Sequence, residues 1–473
     1  MTNHIGTTTR PLRVAIIGAG PAGFYAADAL LKARKKQGLV ISIDLFDRLP
    51  TPYGLVRAGV APDHPKIKRV IKGYHKTAAD PNVRFFGNVS FGTDLTHDAV
   101  RRYYDQVVYA FGTPSDRKLG IPGEQLKGSY PATIFVGWYN SHPDYADLDF
   151  NLKQVKNVAV IGNGNVSMDV SRILAKSVAE LTNTDIADYA LTTLQESAVE
   201  KIYIIGRRGP GQAKFTNPEL REFGQINDVD VIVNPQELVL DAHSQSAVDQ
   251  DKGKTRNMKT LHQYASSQVT GQARQVHFRF FRSPTEILGE EGQVTGIRLR
   301  QNELVRTERG YMQSVGTDHY EELEVDLVLR AVGYKGVKYP GTPFEPRKGI
   351  VPNKKGRVID LESGNVIAGE YVVGWVKRGP SGVIGTNRKD AAETVKNMLQ
   401  DIDLITPVAE EYADPQAALD YIKAQQPEFV SFDEWLILDK LEVERGQAEG
   451  RPRIKFADVQ EMLDHIDEAE AKG

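Results

Sequence analysis

The chain has 473 residues, 40% of them hydrophobic and 26% charged, which is an ordinary globular composition in a chain too long for one core. It contains no cysteine, which excludes disulfides, thiolate zinc sites, Cys-ligated iron–sulfur clusters and a CxxC redox pair. Residues 401–473 hold 19 acidic and 7 basic side chains, whereas the first 400 residues hold 43 and 52. A basic body suits anionic cofactors and an acidic partner; the alternative is a surface whose uneven charge has no role.

The sequence shows neither a membrane-spanning segment nor a metal-binding pattern. The start, MTNHIGTTTRPLR, lacks the apolar segment of a secretory signal, and no apolar run approaches the roughly 18 residues of a membrane span. The ten histidines are scattered without ligand spacing. The sequence therefore predicts a cytoplasmic protein with no metal site, and nothing in it predicts binding to nucleic acid or to a membrane.

Residues 13–33, RVAIIGAGPAGFYAADALLKA, predict a strand, a glycine-rich turn and a helix. In a GxGxxG turn, Gly18 permits the tight bend, Gly20 lets the backbone approach a pyrophosphate, and Gly23 lets the helix pack on the strand. The next strand, ISIDLFD, ends in Asp47, where a carboxylate that binds a ribose hydroxyl belongs. We predict a dinucleotide site, because a glycine-rich turn without a ligand leaves the spacing of Asp47 unexplained.

Residues 156–177, KNVAVIGNGNVSMDVSRILAKS, repeat this plan. The turn consists of Gly162, Asn163, Gly164, Asn165, Val166 and Ser167. Ser167 replaces the third glycine and is small enough for close packing of helix on strand. The sequence therefore predicts a second dinucleotide site.

The strand that follows the second turn ends in Arg207 and Arg208, at the place that Asp47 occupies in the first site. By itself, a pair of arginines after a buried strand indicates a solvated turn. In this context the guanidinium groups suit the 2′-phosphate of NADP(H), whereas a carboxylate repels it. The first site, with its acidic residue, therefore predicts FAD, and the second, with its arginines, predicts NADP(H). Two such sites in one chain predict hydride transfer between the two cofactors.

Two similar stretches, YDQVVYAFG at 104–112 and VDLVLRAVG at 325–333, predict the strands that close the two nucleotide domains. The fold class is therefore α/β, with two Rossmann-like dinucleotide-binding domains and the NADP domain inserted in a discontinuous FAD domain. The predicted parts are residues 1–113 (FAD domain, first part), 114–331 (NADP domain) and 332–473 (FAD domain, second part, with an acidic helical C-terminal extension). Residues 276–301 predict strands around a polar turn within the inserted domain.

Residues 369–399 predict a strand, a glycine-rich turn and a helix. The backbone N–H groups of Gly382, Val383 and Ile384 precede that helix and can point at one ligand, for which the pyrimidine edge of a flavin is suitable. Trp375 either stacks on the flavin ring or is an ordinary core residue.

Five stretches closely resemble the adrenodoxin-reductase-type family of NADPH:ferredoxin reductases, including its bacterial FprA-like members. They are PYGLVRAGVAPDHPKIK (52–68), FVGWYN (135–140), GNGNVSMD (162–169), IGRRGPGQAKFTNPELRE (205–222) and GWVKRGPSGVIGTN (374–387). The resemblance covers most of residues 12–400. It implies a flavoprotein with two dinucleotide-binding domains, in which FAD takes two electrons from NADPH and delivers them singly to an iron–sulfur ferredoxin.

The resemblance also implies individual ligand contacts. Those to FAD are Ala22, Asp47, Leu55, Trp375, Gly382, Val383 and Ile384. Those to NADP are Asn163, Gly164, Asn165, Val166, Arg207, Arg208 and Glu219, with Arg117 as a further candidate and Gly382 near the nicotinamide. The ribose-binding acid is usually Glu in this family, and the shorter Asp47 is expected to reach as well.

The family resemblance further marks His64 as the active-site histidine, paired with Asp169. We expect His64 and Glu219 to line the nicotinamide pocket, holding the carboxamide and tuning local charge. Because hydride transfer needs proximity and orientation more than proton transfer, these residues are catalytic by position.

Residues 65–78 predict a helix with Lys68, Lys72 and Lys76 on one face, where an acidic ferredoxin could bind; the alternative is a solvated basic face. In the tail, Ser431 and Glu434 have the spacing of a capping box, and we expect one or two helices packed on the FAD domain.

Two other functions stay open from the sequence. One is a flavoenzyme with another acceptor, either like the small chain of glutamate synthase, which needs clusters that this chain cannot ligate, or a monooxygenase. The other is a non-catalytic NADP-binding redox sensor.

Overall fold

A computed structural model describes residues 5–308 and 310–472. Its first sheet has seven strands. In spatial order they are Asn353–Lys354, Arg357–Ile359, Val366–Val372, Gln106–Tyr109, Leu12–Ile17, Ile41–Phe46 and Val83–Phe86. The last five run parallel, and the first two form an antiparallel edge. The central strand Leu12–Ile17 is buried along its whole length, as expected for a parallel sheet covered on both faces.

The second sheet has six parallel strands. In spatial order they are Ser129–Pro131, Leu327–Arg330, Asn157–Ile161, Lys201–Ile205, Arg274–Arg279 and Val229–Val233. The predicted α/β class with two Rossmann-like sheets is confirmed, and both predicted glycine-rich turns follow a central strand of their sheet.

Helices cover both sheets. Around the first sheet lie Pro21–Gln37, Leu55–Ala58, Pro65–Lys68, Ile71–Ala78, His97–Tyr103, Trp375–Arg378 and Thr386–Gln400. Around the second lie Ala132–Tyr139, Asn165–Ala175, Val178–Leu181, Asp188–Gln195, Asn217–Glu222, Ala242–Asp249 and Lys252–Ser266. Alternate residues of the strands contribute to two apolar clusters in each sheet, one on either face.

A three-stranded antiparallel sheet accompanies the second parallel sheet and consists of Arg282–Glu290, Gln293–Arg306 and Met312–Glu324. The predicted strands within 276–301 therefore divide between two sheets. The residues up to Arg279 complete the parallel sheet, and the rest form a hairpin that turns at Glu291 and Gly292.

The chain passes between the two parallel sheets at a short antiparallel ribbon. Ser115–Asp116 pairs with Tyr334–Lys335, and the N–H of Arg117 donates to the carbonyl of Gly333 at 2.9 Å. The two segments in which the chain crosses between the sheets thus run side by side. They lie next to residues 113 and 331, and the domain boundaries at these two residues stay a prediction.

The acidic tail forms three helices, Pro415–Gln425, Phe432–Ala448 and Val459–Glu470, so the expectation of one or two was wrong. The capping box of Ser431 and Glu434 is present. Trp435 is fully buried and packs edge-on against Tyr53 at 5.9 Å between ring centroids.

The loop between the last two tail helices contacts both sheet systems. The Arg451 guanidinium donates to the carbonyl of Thr184 at 3.1 Å and to that of Ile186. The Lys455 ammonium donates to the carbonyl of Arg57 at 3.3 Å and lies 3.4 Å from Asp185. The tail therefore joins the helices of the first sheet to those of the second.

Candidate functional site

At two positions of the first glycine-rich turn, no residue larger than glycine fits. Gly18 has φ +114°, and a Cβ there would lie 2.6 Å from the carbonyl oxygen of Ala110. A Cβ on Gly23 would lie 2.1 Å from the carbonyl oxygen of Gly18. Gly20 differs, since its Cβ would meet nothing nearer than 4.0 Å, so its backbone borders open space. This is the geometry of a turn that bends tightly, packs on a helix and leaves one side accessible to a ligand.

Asp47 follows the second strand and is held against this turn. One carboxylate oxygen accepts from the N–H of Ala19 at 2.9 Å, and the other accepts from the N–H of Leu49 at 3.2 Å. Burial raises the pKa of Asp47, although these hydrogen bonds oppose the rise. Each oxygen keeps a further lone pair, so the side chain can still accept hydrogen bonds from ribose hydroxyls.

The predicted flavin end lies beside the same turn. Gly374 follows the strand Val366–Val372, and a Cβ on it would lie 2.6 Å from Cβ of Ala22. Trp375 begins a short helix and packs against Tyr334 at 4.9 Å between ring centroids. Leu55 is 42% exposed at the start of the helix that follows Gly54. The structure therefore brings Ala22 and Gly374 together, with Trp375 next to them.

The turn before the helix Thr386–Gln400 differs in one detail from the prediction. The N–H of Val383 donates to Oγ1 of Thr386 at 3.1 Å, so it is engaged within the chain. The N–H groups of Gly382 and Ile384 have no acceptor within residues 5–308 and 310–472. Two amides rather than three are thus available to a ligand, because Oγ1 of Thr386 accepts the third.

Arg378 lies at this turn and was not singled out from the sequence. Its Nη2 donates to Oδ1 of Asn387 at 3.0 Å. Its Nε and Nη1 are buried without an acceptor in the described part of the chain, and burial lowers the pKa of the guanidinium. Buried donors of this kind are costly when unpaired, which fits an anionic or carbonyl-rich cofactor such as FAD next to this turn.

The second turn repeats the geometry of the first. Gly162 has φ +143°, and a Cβ there would lie 2.4 Å from the carbonyl oxygen of Ala331. Its N–H donates to the carbonyl of Ile205 at 2.8 Å, just as the N–H of Gly18 donates to that of Phe46 at 2.8 Å. Gly164 precedes the helix that begins at Asn165, and a Cβ on it would meet nothing within 4 Å.

Side chains of the second turn reach the neighbouring segments. The Asn163 side chain packs directly on Gly206, since a Cβ on Gly206 would lie 1.6 Å from Nδ2 of Asn163. The Oδ1 atom of Asn163 is buried without a partner among the described residues. Asn165 accepts from the N–H of Thr216 at 2.9 Å and donates to Glu219 at 3.4 Å. Val166, the next helical residue, is half-buried against the second core. Of the predicted NADP contacts, Asn165 and Glu219 therefore lie close together, and Asn163 lies against the residue that precedes the arginine pair.

The arginine pair follows the strand Lys201–Ile205 directly. Arg207 is exposed, Arg208 is half-buried, and neither guanidinium has an acidic partner in the part of the chain that the structure describes. Burial and the neighbouring Arg207 lower the pKa of Arg208. Two adjacent cations without a carboxylate form a site that favours an anion.

His64 lies in a cluster of charged side chains between the two sheet systems. Its Nε2 is 2.9 Å from Glu222, whereas its Nδ1 is 3.8 Å from Asp169, the partner that the family resemblance implied. Burial would lower the pKa of His64, but the hydrogen bond to Glu222 and nearby carboxylates outweigh it and raise the pKa. Arg172, fully buried, contacts Asp169 at 2.8 Å and Glu222 at 3.2 Å.

Glu219 and Glu222 lie three residues apart on the helix Asn217–Glu222. Glu222, rather than Glu219, contacts His64, and one carboxylate oxygen of Glu219 is buried without a partner among the described residues. Glu222 was not predicted from the sequence. The signal was available, since residues three apart on a helix share a face.

The predicted basic helix over residues 65–78 is broken into Pro65–Lys68 and Ile71–Ala78. Bonds of the i, i+3 type between these segments tighten the chain at Arg69 and Val70. Lys68 turns inward and its ammonium donates to both oxygens of Asp185 at 2.7 Å. The prediction that Lys68 shares an exposed face with Lys72 and Lys76 was therefore wrong.

Arg117 lies exposed on the ribbon that joins the two sheet systems.

Within the described ranges, no helix is both long and apolar enough to cross a membrane. Nor do three or more histidine, aspartate or glutamate side chains of these residues come together in a way that could hold a metal ion.

Sequence comparison relates the chain to characterised oxidoreductases. The pyridine nucleotide-disulphide oxidoreductase family model matches residues 12–204. The chain is 44% identical over 466 residues to the NADPH-ferredoxin reductase FprA of Mycobacterium tuberculosis, covering 96% of this chain and 99% of that protein. It is 40% identical over 466 residues to the mitochondrial NADPH:adrenodoxin oxidoreductase of Arabidopsis thaliana, covering 96% and 95%.

The solved structures agree with the sequence comparison. The structure of Mycobacterium tuberculosis FprA in complex with NADPH matches with a TM-score of 0.91 and 43% identity, covering 97% of this chain and all of that one. The fold and the relation between the two sheet systems are therefore those of this relative.

Proposed function

Because the chain belongs to the family of NADPH:ferredoxin and NADPH:adrenodoxin reductases, we propose that it passes electrons from NADPH through FAD to an iron–sulfur ferredoxin. It is a FAD-dependent ferredoxin–NADP(+) reductase, and bound FAD supplies the ability to accept a hydride and to release its electrons singly. The protein's own contribution is to bind both nucleotides and to hold the nicotinamide and the flavin in register.

The observation that carries this proposal is the opposite charge of two otherwise matching sites. Both glycine-rich turns are closed by the same backbone bond, yet the next strand ends in Asp47 at one turn and in Arg207 and Arg208 at the other. A carboxylate accepts ribose hydroxyls and repels a 2′-phosphate, whereas guanidinium groups bind it. The first site therefore takes FAD and the second takes NADPH.

The FAD site is assigned to the residues around the first turn. Gly18, Gly20, Ala22 and Gly23 present the helix N-terminus to the pyrophosphate, and Asp47 binds the ribose. Leu55 and Trp375 border the ring, and Gly382, Ile384 and Arg378 supply donors at its pyrimidine edge.

The NADPH site is assigned to the second turn and the arginine pair. The residues are Asn163, Gly164, Asn165, Val166, Arg207, Arg208 and Glu219, with Arg117 at the ribbon. The contact between Asn165 and Glu219, and the close approach of the Asn163 side chain to Gly206 just before the arginine pair, support a single site.

His64, Glu222 and Asp169 are assigned to the nicotinamide side of the contact between the two domains. The hydrogen bond to Glu222 raises the pKa of His64, so the imidazolium, in which both ring nitrogens donate, persists to higher pH than in a free histidine, and Nδ1–H can orient a carboxamide while Nε2–H is bound to Glu222. Glu219, with one unpaired buried oxygen, is the second candidate for this carboxamide.

The acceptor is proposed to be acidic, since the first 400 residues carry an excess of basic side chains. We also propose a cytoplasmic location, where NADPH is supplied, and this can be checked by cell fractionation. The domain division at 113 and 331 rests on the paired crossings and can be checked by limited proteolysis at the ribbon.

The experiment that tests the function is NADPH-driven reduction of cytochrome c, with and without a [2Fe–2S] ferredoxin, repeated with NADH. Strong stimulation by ferredoxin and a marked preference for NADPH are expected. Flavin reduction without stimulation would point to another acceptor, including the monooxygenase alternative. A flavin that NADPH does not reduce would favour a redox sensor, and equal use of NADH would contradict the role of the arginine pair.

A further inference from the structure

The backbone that carries the arginine pair is fixed by the three-stranded antiparallel sheet and not only by its own strand. The carbonyl oxygen of Arg207 accepts from Nδ2 of Asn302 at 2.9 Å and from Oγ of Ser314 at 2.8 Å. Asn302 and Ser314 lie on the two longest strands of that sheet, about a hundred residues further along the chain. Both lone pairs of one carbonyl are therefore occupied by side chains of another element.

Further contacts extend this attachment to the neighbouring peptide groups. The N–H of Phe281 donates to the carbonyl of Arg208 at 3.3 Å, and the N–H of Arg282 donates to that of Gly206 at 2.9 Å. A Cβ on Gly209 would lie 2.5 Å from the Phe281 ring. All three carbonyls from Gly206 to Arg208 are thus tied to the sheet or to its connecting loop.

Asn302 is itself held in place, so it is a rigid donor. Only 5% of it is exposed, and its amide also donates to Oγ of Ser283 at 2.8 Å. Its own N–H donates to the carbonyl of Phe281 at 2.8 Å, at an irregularity in the strand pairing between Arg300 and Asn302. This irregularity re-aims the Asn302 side chain toward the arginine pair.

The guanidinium groups, in contrast, have no acidic partner among the described residues. In the described part of the chain, the backbone is therefore the one attachment that fixes where both side chains start. A flexible turn at this place would let two like charges move apart, because they repel each other. The two bonds to the Arg207 carbonyl oppose such a movement.

We propose that Asn302 and Ser314 are positioning residues for cofactor selectivity, holding the peptide between Arg207 and Arg208 so that both guanidiniums face one 2′-phosphate. This inference rests on the proposed function, specifically on NADPH binding at the arginine pair. Selectivity between NADPH and NADH would then depend on Asn302 and Ser314, two side chains of the antiparallel sheet that act on the arginine pair and not on the nucleotide.

The test uses the FAD-loaded full chain with the substitutions Ser314→Ala and Asn302→Ala. Binding of 2′,5′-ADP, which carries the 2′-phosphate without the nicotinamide, is measured by calorimetry, together with KM and kcat for NADPH and NADH using ferricyanide as acceptor. Loss of one hydrogen bond is expected to weaken 2′,5′-ADP binding and to raise the KM for NADPH about fivefold in each variant. The kcat and the KM for NADH are expected to stay within twofold.

Thr317→Val is the matched control. Thr317 lies on the same strand as Ser314 and also donates to a carbonyl, that of Gln301 at 3.0 Å, but it does not contact the arginine pair. This control is expected to bind 2′,5′-ADP as the unchanged protein does. Ser314→Ala keeps the test decisive if Asn302→Ala fails to fold, because Ser314 lies nearer the surface.

Unchanged 2′,5′-ADP binding in Ser314→Ala, or a parallel rise of the KM for NADH, would overturn the inference, since a general structural role affects both nucleotides. The double substitution Arg207→Ala/Arg208→Ala separates this outcome from failure of the proposed function. If that variant loses 2′,5′-ADP binding while Ser314→Ala does not, only the present inference is wrong. If it binds 2′,5′-ADP normally, the NADPH assignment itself is wrong.

Discussion

Replacing both arginines by alanine is the most direct perturbation of the second nucleotide site. Arg207 and Arg208 have no acidic partner in the described chain, so their removal leaves no buried carboxylate uncompensated. Each charge-assisted hydrogen bond to a phosphate contributes about 1.5–3 kcal/mol, and the exposure of Arg207 favours the lower end. A combined loss of about 3 kcal/mol corresponds to roughly a hundredfold decrease in kcat/KM for NADPH.

The assay is steady-state reduction of ferricyanide with NADPH or NADH. For NADH, which lacks the 2′-phosphate, kcat/KM is expected to change by less than about threefold, so the selectivity collapses. Lys201→Ala is the control, since Lys201 is an exposed cation at the other end of the same strand. Equal losses with NADPH and NADH would refute the reasoning, because they would show damage to the turn and not loss of phosphate recognition.

Further predictions concern the charged cluster, the first turn and the tail. His64→Gln is expected to slow flavin reduction by NADPH in stopped flow while FAD stays bound; an unchanged rate would remove His64 from the mechanism. The raised pKa of His64 adds stability below the pKa of the unfolded histidine, and that stability is lost as pH rises through the folded value. Glu222→Gln should therefore cost more free energy of unfolding in urea at about pH 5.5 than at about pH 9, and a pH-independent cost would contradict this coupling. Gly18→Ala is expected to yield protein without FAD absorbance, because its Cβ would lie 2.6 Å from a backbone oxygen; normal flavin content would show that the turn can relax. Trp435→Ala should lower the free energy of unfolding by about 3–5 kcal/mol, and a cost below about 1 kcal/mol would mean that the tail folds separately.

Local geometry explains why the two nucleotide turns could be predicted from the sequence. A strand, a glycine-rich turn and a helix are contiguous, and the charged residues come after the next strand: Asp47 lies 24 residues past Gly23, and Arg207 lies 40 residues past Ser167. Gly18, Gly162, Asp47 and the arginine pair therefore lie where the order of the elements placed them.

Contacts between distant segments were missed for the same reason. Glu222 meets His64 across 158 residues, and Lys68 meets Asp185 across 117. A helical pattern alone made Lys68 a surface cation, because nothing local shows that a carboxylate from the other sheet system buries it. The amide of Val383 was assigned to a ligand because the sequence does not show that the Thr386 side chain folds back and accepts this N–H.

The tail also limits how the two nucleotide domains can move. The crossings at Ser115–Asp116 and Tyr334–Lys335 are paired, so mechanically they form a single hinge. Arg451 and Lys455 add a second attachment from a different part of the chain, with Lys455 joining Arg57 on one side to Asp185 on the other. A body held at a hinge and at a brace cannot rotate freely about the hinge. Nucleotide exchange therefore has to proceed with the angle between the domains largely preserved, or else it must first break the buried bonds of the brace.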